Sequence, residues 1–219
     1  MAAAAGSTFV ATQVSVLFQL AGNQTHPVRD IVIENLTLRD AAATFMEPHG
    51  MPSGGDWTLQ HSGAVTATGA ESLDIKWVDF VRNDGNSVLI GAYARNVSDS
   101  GFSWQGDSCV ASWGVTSRAL NSNGTRTLPL GIELGPDARG GNHPLGTRLL
   151  RNTAHDIGLW QKQSSFYFTA VSAMANVSGN VMWNAPRAWI NANDGMGGGD
   201  DFGHNVLVNA VRESGDHGP

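Results

Sequence analysis

The chain has 219 residues, enough for one sizeable domain, and carries 27 glycines, about twice the ~7% average usage, with only 15% charged residues. That balance argues against a helical bundle and suits a protein of short strands and frequent turns. A net charge of −6 leaves no basic footprint, so neither nucleic acid nor an anionic membrane surface is an expected partner.

Met1 to Gly6 is alanine-rich, and Phe9 to Leu20 is moderately apolar with no lysine or arginine before it, a poor fit to a secretory signal. Thr12, Gln13, Ser15 and Gln19 interrupt the apolar run, so a membrane span is not expected. The alternation Val14-Ser-Val16-Leu-Phe18-Gln-Leu20 predicts a strand.

A repeat follows. Its anchors are Ile33, Ile75, Val97, Leu149, Val177 and Phe202, and the fifth residue after each is apolar: Leu38, Phe80, Phe102, Ala154, Met182 and Leu207. The third position holds Asn152, Asn180 and Asn205 in the last three copies. The seventh holds Asp40, Asp156, Asn184 and Asn209, a column that Arg82 and Trp104 break. The thirteenth holds Val88, Val110 and Ile190. Anchor spacings are 22, 28 and 25 residues, and gaps of 42 and 52 residues each correspond to two units or to one unit plus a loop. A unit this short cannot bury its own apolar face, whereas stacked units can. No segment keeps an apolar 3.6-residue period over three turns, which excludes a helical repeat. An inward asparagine at a bend is expected to bond the backbone above and below it. Loop insertions near 46–57 and 115–145, rich in Gly, Pro, Asn and Ser, fall outside the repeat.

Several short runs lie on this frame: Ser53-Gly-Gly-Asp-Trp57, Asp84-Gly-Asn86, Ser103-Trp104, Ala111-Ser-Trp-Gly114, Lys162-Gln-Ser-Ser165, Pro186-Arg187, Asn193-Asp-Gly-Met-Gly-Gly-Gly199 and Arg212-Glu-Ser-Gly-Asp-His-Gly-Pro219. With them the chain resembles right-handed β-helix domain proteins of the pectate-lyase-like superfamily, near the β-helix glycoside hydrolases. The resemblance runs from about Pro27 to the end. It implies an all-β, right-handed parallel β-helix, a single domain over residues 1–219, truncated at its C-terminal end because the last run stops without a closing element. It also implies a secreted or cell-surface carbohydrate-active enzyme, a monomer, that cleaves glycosidic bonds of a polysaccharide, as a hydrolase before a lyase. The alternative is a non-catalytic β-helix that binds glycans or serves as an adhesin-like spacer.

For a hydrolase the expected catalytic groups are Asp194, Glu213 and Asp216, because glycoside cleavage needs a general acid and a second carboxylate about 5–9.5 Å apart. Asp200 and Asp201 read as turn residues. Lys162, Arg187, Arg212 and His217 are expected to hold substrate, and Lys162 is the candidate base if the enzyme is a lyase. Arg187 and Arg212 share the tenth position after their anchors and are expected either to stack facing a groove or to pair with carboxylates. Of the seven tryptophans, Trp57, Trp113, Trp160 and Trp189 are candidate sugar-stacking walls, and Trp77, Trp104 and Trp183 are expected in the core or stacked between units. No zinc, phosphate-loop or serine-hydrolase motif occurs, and no cofactor is expected beyond Ca²⁺ in the lyase case.

Overall fold

The computed structural model describes residues 6, 9–22, 26–47, 60–91, 96–114, 143–193 and 198–215. Among them are fifteen strands in two sheets, and no helix. With strands numbered in chain order, sheet A holds β1 (Phe18–Ala21), β3 (Val65–Thr68), β5 (Val88–Ile90), β8 (Val110–Trp113), β11 (Tyr167–Ala170) and β14 (Ile190–Ala192). Sheet B holds β2 (Val28–Arg39), β4 (Ala70–Val81), β6 (Asn96–Ser98), β7 (Gly101–Ser103), β9 (Arg148–Leu150), β10 (Thr153–His155), β12 (Asn176–Ser178), β13 (Val181–Trp183) and β15 (Val206–Val208). Every strand pairing among the described residues is parallel, and strands pair with their equivalents in the neighbouring repeats, on both sides in the middle of each sheet and on one side at its ends.

The register reproduces the sequence repeat. Ile33 pairs with Ile75, Ile75 with Val97, Val97 with Leu149 and Leu149 with Val177. The 42- and 52-residue gaps are therefore each one repeat plus an insertion. Fifth-position residues Leu38, Phe80, Phe102, Ala154, Met182 and Leu207 form a second row. The thirteenth-position valines and isoleucine lie in a sheet A row, Val65–Val88–Val110–Tyr167–Ile190. Most of these side chains meet in one core, where Phe80 stacks on Phe102 at 4.8 Å. Each such fully buried Val, Leu or Phe stabilises the fold by about 1.5–3 kcal/mol. In the last described repeat Phe202 and Leu207 are 37% and 43% exposed, because a neighbour covers them on one side only.

Sheet B bends at fixed intervals. Its three bends fall three residues before the anchor and two and seven residues after it, so they recur every five residues. The first has positive φ at Asp30, Ser72, Gly146, Met174 and Gly199, and the second at Asn35, Trp77, Asp99, Arg151, Gly179 and His204. The third has it at Asp40, Arg82, Trp104, Asp156, Asn184 and Asn209. Between bends two residues point inward, so along β4 the buried positions are Ala70, Leu73, Ile75, Val78 and Phe80, with Trp77 turned out at the bend. Arg82 and Trp104 break the Asn/Asp pattern of the seventh column chemically, yet they hold the same backbone shape as its other members.

The third-position column runs inside. The Asn152 and Asn180 amides each accept from the backbone N–H one repeat earlier, Ser100 (3.1 Å) and Asn152 (2.9 Å), and Asn205 accepts from Asn180 (3.0 Å). Their Nδ2 groups donate to the carbonyls of Val97, Leu149 and Val177 at 2.7–2.9 Å. Ser100 continues the column toward the N-terminal side, its hydroxyl accepting from Val78 N–H at 3.1 Å. This is the backbone-satisfying role expected of these asparagines.

Candidate functional site

The connections from sheet B to sheet A form one edge of the molecule and carry most of the described candidate residues. They are held in line by backbone bonds: Asp84 N–H to Ala41 O (2.9 Å), Gly106 N–H to Asn83 O (2.7 Å), Trp160 N–H to Gly106 O (3.0 Å) and Glu213 N–H to Pro186 O (3.0 Å). Beneath the edge, buried Asp107 accepts from the Ser108 N–H at 2.8 Å and the Ser164 hydroxyl at 2.9 Å, which ties two adjacent connections together.

On the surface of this edge Lys162 Nζ lies 2.9 Å from a carboxylate oxygen of Glu213, and both side chains are about half exposed. Two candidate residues 51 positions apart are thus brought into one ion pair. Trp160 is 58% exposed, and its indole N–H donates to Asp84 Oδ1 at 2.9 Å. The indole can lie there because residue 106 is glycine: a Cβ at Gly106 would sit 2.5 Å from Trp160 Cδ1 and 2.3 Å from Asp84 O. Arg212, also exposed, faces Asp156 at 3.9 Å, and Asp156 in turn bonds His155 Nδ1 (2.8 Å) and accepts from Asn184 Nδ2 (3.0 Å).

Two other candidates point inward. Arg187 is 2% exposed although it shares its offset with Arg212, so the two arginines do not form a stacked pair facing solvent. Trp189 is fully buried in the core, its N–H 3.3 Å from Val208 O, and Trp113 is buried against His61. Neither indole has a face free for a sugar. Conversely Trp77, expected in the core or stacked between units, is 54% exposed because it occupies a bend, while Trp104, 47% exposed at its own bend, meets His155 of the next repeat edge-on and Trp183 stacks on His155, as the inter-unit expectation has it.

Asp194, Asp216, His217 and Trp57 lie outside the described residues. Among the described residues, Glu213 has a lysine for its recorded partner, and no group of three or more His, Cys, Asp or Glu could hold a metal. The outward row of sheet A, Gln19–Thr66–Leu89–Ala111–Phe168–Asn191, carries no ionisable side chain, and Leu89, Ala111 and Phe168 in it are buried.

Sequence reasoning missed Asp84, which pins Trp160, and missed Asp156 as the hub joining His155, Asn184 and Arg212. Asp84 carries no signal beyond its Asp-Gly-Asn turn, and Asp156 was visible only as a column member. No helix among the described residues is long and apolar enough to cross a membrane. No family model matches this chain, and neither does any curated protein or solved structure.

Proposed function

We propose that the chain is a right-handed parallel β-helix, acting outside the cell or at its surface, that engages a polysaccharide along the edge carrying Trp160, Lys162 and Glu213. The observation that carries this reading is the half-exposed Trp160 indole, fixed by Asp84 and seated over Gly106, on the same edge as an accessible ammonium–carboxylate pair. A flat apolar ring offers a platform to the C–H face of a sugar, and neighbouring charged groups offer bonds to its hydroxyls.

Cleavage is the second reading. It is favoured by Glu213, a solvent-accessible carboxylate held in a defined position by Lys162. In that reading Glu213 serves as acid or base and Asp216, three residues on, supplies the second carboxylate. A lyase using Lys162 as base would first have to break the pair with Glu213.

Both readings meet in one experiment. The chain is incubated with plant and algal polysaccharides, and bound polymer, new reducing ends and unsaturated-uronate absorbance are recorded. Trp160→Ala and Lys162→Ala are expected to weaken binding about tenfold or more, equivalent to about 1.4 kcal/mol. New reducing ends without the absorbance, lost in Glu213→Gln, would establish hydrolysis. Undiminished binding in both edge variants, with no cleavage by the unaltered chain, would overturn the proposal.

A further inference from the structure

An aromatic row crosses the outer face of sheet B in three successive repeats. Trp104 meets the ring of His155 edge-on, with centroids 5.4 Å apart and planes at 81°. His155 in turn stacks on Trp183, its register partner, at 4.6 Å and 11°. The row therefore advances one strand spacing per ring, across the strands rather than along them. Because Trp104 stands at right angles to the other two rings, its flat face lies along the direction of advance, and it is 47% exposed. Its backbone is locked at positive φ (54°) by the bend, and its N–H donates to the His155 carbonyl, so the platform is set before any ligand arrives. The row is lined by hydrogen-bonding groups from the seventh column: Asp156, Asn184 and Asn209, themselves linked at 2.7–3.0 Å.

The charges beside the row point to a neutral ligand. The cations nearest it each face a carboxylate, Arg82 with Asp40, Arg151 with Asp99 and, from the adjoining edge, Arg212 with Asp156, while Arg148, at the start of β9 and seven residues before His155, is exposed with no carboxylate partner among the described residues. A uronate or sulfated polymer would have to displace the carboxylate to reach any of the three paired cations. A neutral sugar chain needs an apolar ring face, which Trp104 offers, and dipolar partners, which the outward edges of the stacked His155 and Trp183 rings and the seventh column supply. The row is also continuous with the edge described above, since Trp104 lies two residues before Gly106, against which Trp160 packs.

We propose that Trp104, His155 and Trp183, with Asp156 and Asn184 beside them, form an extended binding track for a neutral polysaccharide laid across the repeats, leading to the Trp160 edge. The proposal rests on the polysaccharide reading of that edge and adds to it the ligand's charge class and its course over the surface.

The test is affinity electrophoresis of the full chain through gels containing a neutral glucan, a neutral mannan or polygalacturonate. Trp104→Ala/Trp183→Ala is compared with Trp77→Ala, an exposed tryptophan of the same sheet outside the row, and with Lys162→Ala/Glu213→Gln at the edge. A neutral polymer should retard the unaltered chain. The track double variant should lose at least tenfold in association constant, and Trp77→Ala should stay within twofold. Trp104→Phe/Trp183→Phe should keep most of the binding, which separates a missing platform from a damaged fold, and thermal melts check the same point. The track is overturned if its alanine double variant binds as the unaltered chain does, if Trp77→Ala loses as much, if polygalacturonate retards the chain more than the neutral polymers, or if no neutral polymer retards it. The edge reading fails separately: its mark is a Lys162→Ala/Glu213→Gln chain that binds normally while the unaltered chain releases no reducing ends.

Discussion

Two columns of the repeat, the third and the seventh positions, lie only four residues apart and behave in opposite ways. At the third position the side chain is inside and closes bonds that the backbone cannot close alone, so the last three repeats all use asparagine. At the seventh the backbone takes a left-handed bend and the side chain points out, and the chain places Asp, Arg, Trp and Asn there without changing shape. A left-handed residue other than glycine costs roughly 1–2 kcal/mol, less for Asn and Asp, but that cost depends little on what the side chain touches. An inward bonding position constrains chemistry; an outward bending position constrains geometry. That freedom is what lets an exposed tryptophan stand at one seventh position and an ion pair at another.

The sharpest way to break this contrast is to remove one amide from each column. Asn180→Ala strips the acceptor from Asn152 N–H and the donor from Leu149 O, both in the interior. Leaving such groups buried and unpaired costs about 1–3 kcal/mol each, so a loss of about 3–5 kcal/mol and a Tm lower by roughly 10 °C are expected. Asn184→Ala loses its bonds to Asp156 and Asn209, which water takes over at the surface, and gives up the tolerance of asparagine for positive φ, so the expected loss is about 1 kcal/mol. Equal losses in urea unfolding would end the distinction between the columns.

The same distinction explains what could be read in the sequence. The rows Ile33–Ile75–Val97–Leu149–Val177 and Leu38–Phe80–Phe102–Ala154–Met182 were legible because inward positions must be apolar, and the asparagine column because a polar residue at an inward position beside a bend must be bonded. The second bend was not legible: Asn35, Trp77, Asp99, Arg151, Gly179 and His204 share a φ and no chemistry. Trp77 was expected in the core or stacked between units on the general habit of large aromatic residues, although the spacing of Leu73, Ile75, Val78 and Phe80, two and three residues by turns, already sets residue 77 outward. At the edge, Lys162 and Glu213 could be named as candidates, but their pairing depends on how far each connection reaches, which no local pattern encodes. Arg187 and Trp189 carry functional-looking side chains in positions where the turn back into sheet A points them inward.

A smaller effect sharpens the geometric side of the contrast. Arg82→Asn places at the seventh position of the second repeat the residue that Asn184 and Asn209 supply in later ones. Asparagine tolerates positive φ better than arginine, while the exposed Arg82–Asp40 pair that is lost contributes only about 0–1 kcal/mol. The expected outcome in urea is a stability unchanged or raised by up to about 1 kcal/mol. A clear loss would mean that the guanidinium, and not the bend, is what the position requires.

The smallest effect concerns a second outward column that, like Asp40 and Arg82 at the seventh position, carries matched charges in adjacent repeats. Asp99 and Arg151 occupy the same bend one repeat apart, and the Arg151 Nε and Nη2 groups lie 2.7 and 2.6 Å from the two Asp99 oxygens. Those hydrogen bonds hold the Asp99 carboxyl below its usual range, against a weaker opposing push from burial. A carboxyl whose pKa is depressed in the folded chain adds stability above its unfolded value of about 3.9, and that contribution is lost as pH falls through the folded value. The stability advantage of the unaltered chain over Asp99→Asn should therefore be present at neutral pH, shrink as pH falls below about 4, and shrink with added salt, since both partners are accessible to solvent. Thermal melts of the two proteins across that range give the curve. A difference that persists unchanged at low pH would place the effect of Asp99 in the shape of the bend, and would extend to the second column the rule that outward bends select for geometry alone.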